Sequence, residues 1–167
     1  MIDDIGESTM SKTKTNAMRI LDQNQVTYEV ITYDIEDGHI DGISVAKKIG
    51  KELNMVYKTL VVNGEKDRIY VFVIPVEAEL NLKKAAKVAG EKKVDMLPVK
   101  DIQKWTGCIR GGCSPIGMKK SYPTFIDASA ATLERIIVSG GKIGSQIELN
   151  VEDLRNVTRA QIEEVIH

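Results

Sequence analysis

The sequence predicts an α+β domain built on a mixed sheet, and three observations carry that prediction. Short amphipathic segments interrupt runs of β-branched residues without a repeating βαβ unit. Two of those runs, 57–62 and 69–74, follow one another directly and read as a hairpin. No Pro-, Gly- or Ser-rich linker divides the 167 residues, a length that supports one domain around a substantial core.

The elements follow in order. Residues 1–13 are polar and acidic and are expected to form a disordered leader, with the domain spanning 14–167. Residues 16–24 carry Ala17, Ile20 and Leu21 at helical spacing, and 26–33 are β-branched and aromatic, so a helix and then a strand are expected. A helix over 44–50 would begin near Ser44 and stop at Gly50. The hairpin strands are separated by a turn built on Asn63-Gly64, and Pro75 terminates the second. Asn81 caps a helix that runs to Gly90. A short strand over 92–97 precedes a helix that opens at Pro98 and stops at Gly107. Strands are expected at 123–127, 135–141 and 146–150. Asn150 and Asp153 then stand at capping-box-like spacing, and a last, weaker helix is expected over 159–166.

Charge and hydropathy exclude some classes of function. A net charge of −1 gives no global attraction to nucleic acid or to an anionic membrane. Contact with RNA would have to come from local lysine pairs such as Lys83-Lys84 or Lys119-Lys120, whose default reading is a solvated face. No run approaches the roughly 20 apolar residues of a membrane span. The N-terminus lacks the pattern of a secretory signal, so the cytoplasm is the expected compartment, where thiols are kept reduced.

The stretch CIRGGCSPIG, residues 108–117, is the densest in chemistry. Cys108 and Cys113 lack a second pair of Cys or His ligands, which argues against zinc. His39 is the sole base that could serve a cysteine nucleophile, and nothing around it has the context of a catalytic pair. Two small, partly buried, reduced thiols are therefore the leading reading. Gly111-Gly112 admits two readings, a tight turn or a backbone cradle for an anion or a polarised carbonyl. The glycines of 140–144 have the same character. Lys58, in VYKTLVV, is equally an outward strand lysine or a cation at a pocket mouth. No Ser–His–Asp set, Walker loop, HExxH or GxGxxG is present.

VYKTLVV, LNLKKAAKVAG, GGCSPIGMKK and VSGGKIGSQIEL occur in this order, and together they resemble the YbaK/EbsC family of aminoacyl-tRNA deacylases, relatives of the editing domain inserted in bacterial prolyl-tRNA synthetases. The resemblance covers about residues 15–165. It implies a curved, barrel-like mixed sheet flanked by short helices. It implies trans-editing of misacylated tRNA, typically Cys-tRNA(Pro), bound by its 3′ acceptor end, with prolyl-tRNA synthetase as a partner and with no cofactor, metal, DNA or membrane. The substrate thiol would attack its own carbonyl, leaving the enzyme to position the reactants and stabilise charge. Lys58 falls on the family's essential lysine, with Thr59 beside it. Gly111 falls on the glycine that positions the carbonyl, with Gly112 completing the cradle. Tyr33 and Ser139 fall on pocket positions. Asp41 stands where the family carries an aromatic residue, and Gln146 where it carries an aspartate, which bears on selectivity for the amino acid. A deacylase for another mischarged tRNA and a non-catalytic module for tRNA ends or small ligands are the alternatives.

Overall fold

The computed structural model describes residues 14–109 and 111–167, so the expected leader lies outside the described residues. Helix α1 spans Asn16–Gln23, where Thr15 caps it by accepting the Met18 N–H. Strand β1 is Tyr28–Thr32 and helix α2 is Gly42–Ile49. Strands β2 (Tyr57–Asn63) and β3 (Ile69–Pro75) form the hairpin, and helix α3 (Leu82–Ala89) follows. Strand β4 is Asp95–Met96, helix α4 is Val99–Thr106 and strand β5 is Thr124–Asp127. Strands β6 (Arg135–Ser139) and β7 (Ser145–Asn150), helix α5 (Val151–Thr158) and strand β8 (Gln161–Glu163) complete the chain.

The strands form two sheets. One has the order β1-β7-β6 and is antiparallel throughout. The other has the order β4-β2-β3-β5-β8 and is mixed, with β5 parallel to both β3 and β8. A single parallel bridge, Val56 to Ile137, joins them, and no ring of strands closes among the described residues.

Strand alternation decides which residues face the core. Ile136 and Val138 of β6 and Ile147 and Leu149 of β7 turn toward α1 and α5, where they bury against Leu21 and Leu154. Their neighbours Ile137, Ser139 and Gln146 must therefore face the other way. In the mixed sheet, Phe72 stacks on Phe125 with ring centroids 5.1 Å apart, and Ala85 and Ala86 of α3 close over them.

Four expectations require correction. The segment after α5 is strand β8, not a helix: Arg159 ends α5 in the left-handed region, and 161–163 then pair with β5. Ala160, Ile162, Val165 and Ile166 fit neither a helical nor an alternating period cleanly, and pairing with the edge of β5 decided. Helix α2 is capped by Asp41, whose carboxylate accepts both the Ser44 N–H and the Ser44 hydroxyl. The hairpin turn is longer than an Asn-Gly pair, with a short 3₁₀ turn at Glu65–Asp67 and left-handed Lys66 and Asp67. The fourth correction concerns the cysteines, which are paired as a disulfide.

The buried Glu91 carboxylate organises that longer turn. It accepts from Arg68 Nε at 2.7 Å, from the Tyr70 hydroxyl and from the Glu65 N–H at 3.1 Å. Arg68 and then Tyr70, with the Glu65 N–H, hold its pKa down to about 2 from 4.5. A depressed carboxylate pKa means that the unfolded chain binds the proton more readily, so this contribution to stability is complete above about pH 4.5 and is lost as pH falls toward 2. Thermal melts across that window should show a steep acid loss in the wild type, and Glu91→Gln should flatten it at the cost of a lower Tm at pH 7.

Candidate active site

A cavity of about 640 Å³ opens where β1, β2, β6 and β7 meet the loops before α2 and after α4. The Val56–Ile137 bridge sets its layout. Continued in the parallel direction, that bridge places Lys58 and Thr59 of β2 alongside the Ser139 end of β6. Ser139 pairs with Gln146 across the sheet, and Gln146 pairs with Ile31, two residues before Tyr33. One row of residues from both sheets thus brings together Lys58, Thr59, Ser139, Gln146 and Tyr33, all of which line the cavity.

Gly111 lines the same cavity and Gly112 does not. Gly112 is buried against the backbone of Lys142 and Ile143 and lines a smaller cavity of about 110 Å³ on the opposite side of the loop. The loops 108–117 and 139–145 are therefore packed backbone to backbone. A Cβ on Gly112 would lie 2.9 Å from Ile143 N, a contact only glycine avoids. Gly111 adopts φ +85° and presents an N–H that has no hydrogen-bond partner among the described residues. The Gly112 N–H turns back to Ile109 O at 2.9 Å. This reversal brings the Cα atoms of Cys108 and Cys113 to 5.1 Å and closes the disulfide, in place of the expected pair of thiols.

The electrostatics of the cavity are simple. Lys58 is its only lining cation among the described residues, and its ammonium makes no ion pair or hydrogen bond with them. Asp41 is its only lining carboxylate among the described residues, and that group is occupied at the α2 N-terminus, where the Ser44 hydroxyl and N–H hold its pKa below the usual range. The Tyr57 ring lines the wall, but its hydroxyl turns away to Ser129 at 2.7 Å. Three of the residues that line the cavity carry a buried polar atom with no partner among the described residues: Tyr33 Oη, Thr59 Oγ1 and Gln146 Oε1. Each such atom costs about 1–3 kcal/mol when left unpaired, so the fold keeps three costly polar groups on the residues around one cavity. Ser139 Oγ already accepts the Gly141 N–H, which leaves its own proton to donate.

Reasoning from sequence alone did not find Ile40. It packs against Gly111, with a side-chain carbon 3.0 Å from where a Cβ would stand. No local pattern marks it, because loop 33–41 reaches the Gly111 loop only in the folded chain. Among the described residues no group of three His, Cys, Asp or Glu side chains forms a metal-like cluster, and no helix is long and apolar enough to cross a membrane.

Known structures share this architecture. A crystal structure described as a candidate trans-editing enzyme for prolyl-tRNA synthetase superposes with a TM-score of 0.79 at 21% identity, covering 93% of this chain and 99% of that one. A protein described only as hypothetical superposes with a TM-score of 0.83 at 19% identity, covering 92% and 100%. The fold and the cavity thus define a small α+β protein with the fold these structures share. At the level of sequence, the family model for the aminoacyl-tRNA editing domain matches residues 41–157, and the chain belongs to that family. EbsC of Enterococcus faecalis, named as a candidate Cys-tRNA(Pro)/Cys-tRNA(Cys) deacylase, is 47% identical over 91% of this chain and 93% of its own. A proline–tRNA ligase of Brachyspira hyodysenteriae is 27% identical over 71% of this chain, which corresponds to 21% of that protein.

Proposed function

We propose that the protein deacylates misacylated tRNA in trans, with Cys-tRNA(Pro) as its principal substrate and the aminoacylated 3′ end seated in the large cavity. The observation that carries this reading is the gathering of Tyr33, Thr59, Ser139 and Gln146 around one cavity with Lys58, the only lining cation among the described residues. An aminoacyl ester offers donors and acceptors to satisfy Tyr33, Thr59 and Gln146, and its terminal nucleotide offers negative charge to Lys58. At about 640 Å³ the cavity falls within the range of small-ligand sites.

Among the described residues the lining holds no histidine, and its one lysine is assigned to charge stabilisation, so the chemistry falls to the substrate. The cysteinyl thiol attacks the ester carbonyl carbon and a C–S bond forms. The C–O bond to the terminal ribose then breaks, and the thiol proton passes to the ribose oxygen, releasing a cyclic thiolactone. Lys58 and the open Gly111 N–H stabilise the charge that builds on oxygen in between. Gln146 supplies a neutral amide where a carboxylate would repel that charge.

The net charge of −1 leaves little general attraction for tRNA phosphates, so binding should be modest and salt-sensitive without help. Presentation by prolyl-tRNA synthetase would supply that help, in keeping with the similarity to part of a proline–tRNA ligase. A panel of labelled aminoacyl-tRNAs tests the proposal. Cys-tRNA is expected to be cleaved far faster than Ser- or Ala-tRNA. Equal rates would replace the substrate thiol with a bound water, and saturable binding with no cleavage above the spontaneous rate would make the protein a binding module.

A further inference from the structure

We propose that Lys48 is a positioning residue for the deacylation: its ammonium fixes the loop that seats Ile40 against Gly111, and so sets the cavity wall beside that glycine. The consequence for turnover rests on the deacylase reading above. Loop 33–41 contributes Tyr33, Gly38, Ile40 and Asp41 to the cavity lining. Its two ends are tied down. The Tyr33 N–H donates to Gly144 O at 3.1 Å, and Asp41 caps α2. The bonds within the loop are local turns. Asp34 Oδ1 accepts the Glu36 N–H, Asp37 Oδ1 accepts the His39 N–H, and the Gly38 N–H donates to Ile35 O. These bonds shape the loop but attach it to no other element.

Lys48 makes that attachment. It stands in the last turn of α2, where a cation complements the helix dipole. Its ammonium donates to Asp34 O at 2.7 Å, to Asp37 Oδ1 at 2.7 Å and to His39 O at 2.9 Å. An ammonium carries three donors, and all three are used on this one loop. Among the described residues, these are the only hydrogen bonds that join residues 34–40 to the rest of the chain. Two of the three acceptors are backbone oxygens, so the ammonium fixes the path of the chain itself. His39 O belongs to the same planar peptide unit as the Ile40 N–H, so holding that oxygen holds the start of Ile40. The Ile40 side chain then lies 3.0 Å from where a Gly111 Cβ would stand, on the residue whose N–H is assigned above to charge stabilisation. Water could satisfy the same three oxygens in many loop positions, whereas Lys48 satisfies them in one. Lys48 does not line the cavity itself, so it acts through the loop. Lys47, in the same helical turn, is exposed and makes no hydrogen bond or ion pair with the described residues, so two lysines alike in sequence differ in the fold.

Lys48→Met tests this, because it keeps an apolar stem and removes the three donors. Amides of residues 36–40 should exchange with deuterium about tenfold faster in the variant, with the rest of the chain unchanged. The kcat on Cys-tRNA should fall about tenfold, since a shifted wall misplaces the reacting carbonyl. KM should stay within about twofold of the wild type, because phosphate contacts dominate tRNA binding. Lys47→Met removes the same charge from the same turn and should match the wild type in exchange and in turnover. Ile40→Ala supplies a readout that a merely structural role would not move. If Lys48 acts by placing Ile40, both changes remove the same wall, and the double variant should be no more than about twofold slower than the slower single variant. Losses that multiply in the double variant, faster exchange throughout the chain, wild-type exchange over 36–40, or an unchanged kcat in Lys48→Met would each overturn the proposal. If the wild type cleaves no aminoacyl-tRNA, the deacylase reading falls, and exchange over 36–40 alone decides whether Lys48 holds the loop.

Discussion

Lys58→Ala is expected to lower kcat on Cys-tRNA by about 100- to 1,000-fold, the usual effect of removing one charge-stabilising donor from a desolvated site. Lys58 is the only lining cation among the described residues. Its ammonium has no ion pair or hydrogen bond with them, so its removal breaks no polar contact among them. Tm should therefore stay close to the wild type. Lys58→Gln keeps most of the side-chain length and removes only the charge, and it should fail nearly as badly. Single-turnover deacylation with each variant checks this. Full retention of activity in either variant would remove Lys58 from the mechanism.

Gly112→Ala should damage the protein by a different route. The added carbon would stand 2.9 Å from Ile143 N and 3.1 Å from Lys142 Cα, and both neighbours are backbone. Relief requires the two loops to separate, at a cost of about 1–3 kcal/mol as in other overpacked sites. That corresponds to a fall in Tm of several degrees, at about 2–4 °C per kcal/mol for a chain of this size. Activity should fall as well, although Gly112 does not line the large cavity. The Gly111 N–H stands on one loop and Ser139 at the base of the other, so parting the loops moves both relative to Lys58. A thermal melt and kcat/KM measured together check this, and a variant with wild-type values for both would show that the loops do not need their close packing.

Helix ends were the most legible part of the fold. Asn81 caps α3 through the Lys83 and Lys84 N–H groups, and Gly90 and Gly107 end their helices in the left-handed region. These are contacts within a few residues, and residue type alone specifies them. Helix α2 starts two residues before Ser44, because Asp41 caps it and accepts the Ser44 hydroxyl and N–H. That exchange bears on the site, because it takes the cavity's one carboxylate out of play. The cysteines were misread for another reason. Compartment and ligand spacing argued for two thiols, but the distance between them depends on how the Gly-Gly turn reverses, and spacing in sequence does not encode that.

By itself, the sequence determined the α+β class, the order of most elements and the identity of the residues that could carry chemistry. Lys58, the Gly111–Gly112 loop and the 140–144 loop stand out there because charge within an apolar run and clustered glycine are local facts. Only the tertiary structure decided that these belong to one place. Lys58 meets Ser139 through a bridge between residues 56 and 137, and the two glycine loops meet through contacts between 112 and 142–143. Such long-range meetings are set by sheet pairing and backbone packing summed over the whole chain, to which no short stretch of residues commits in advance.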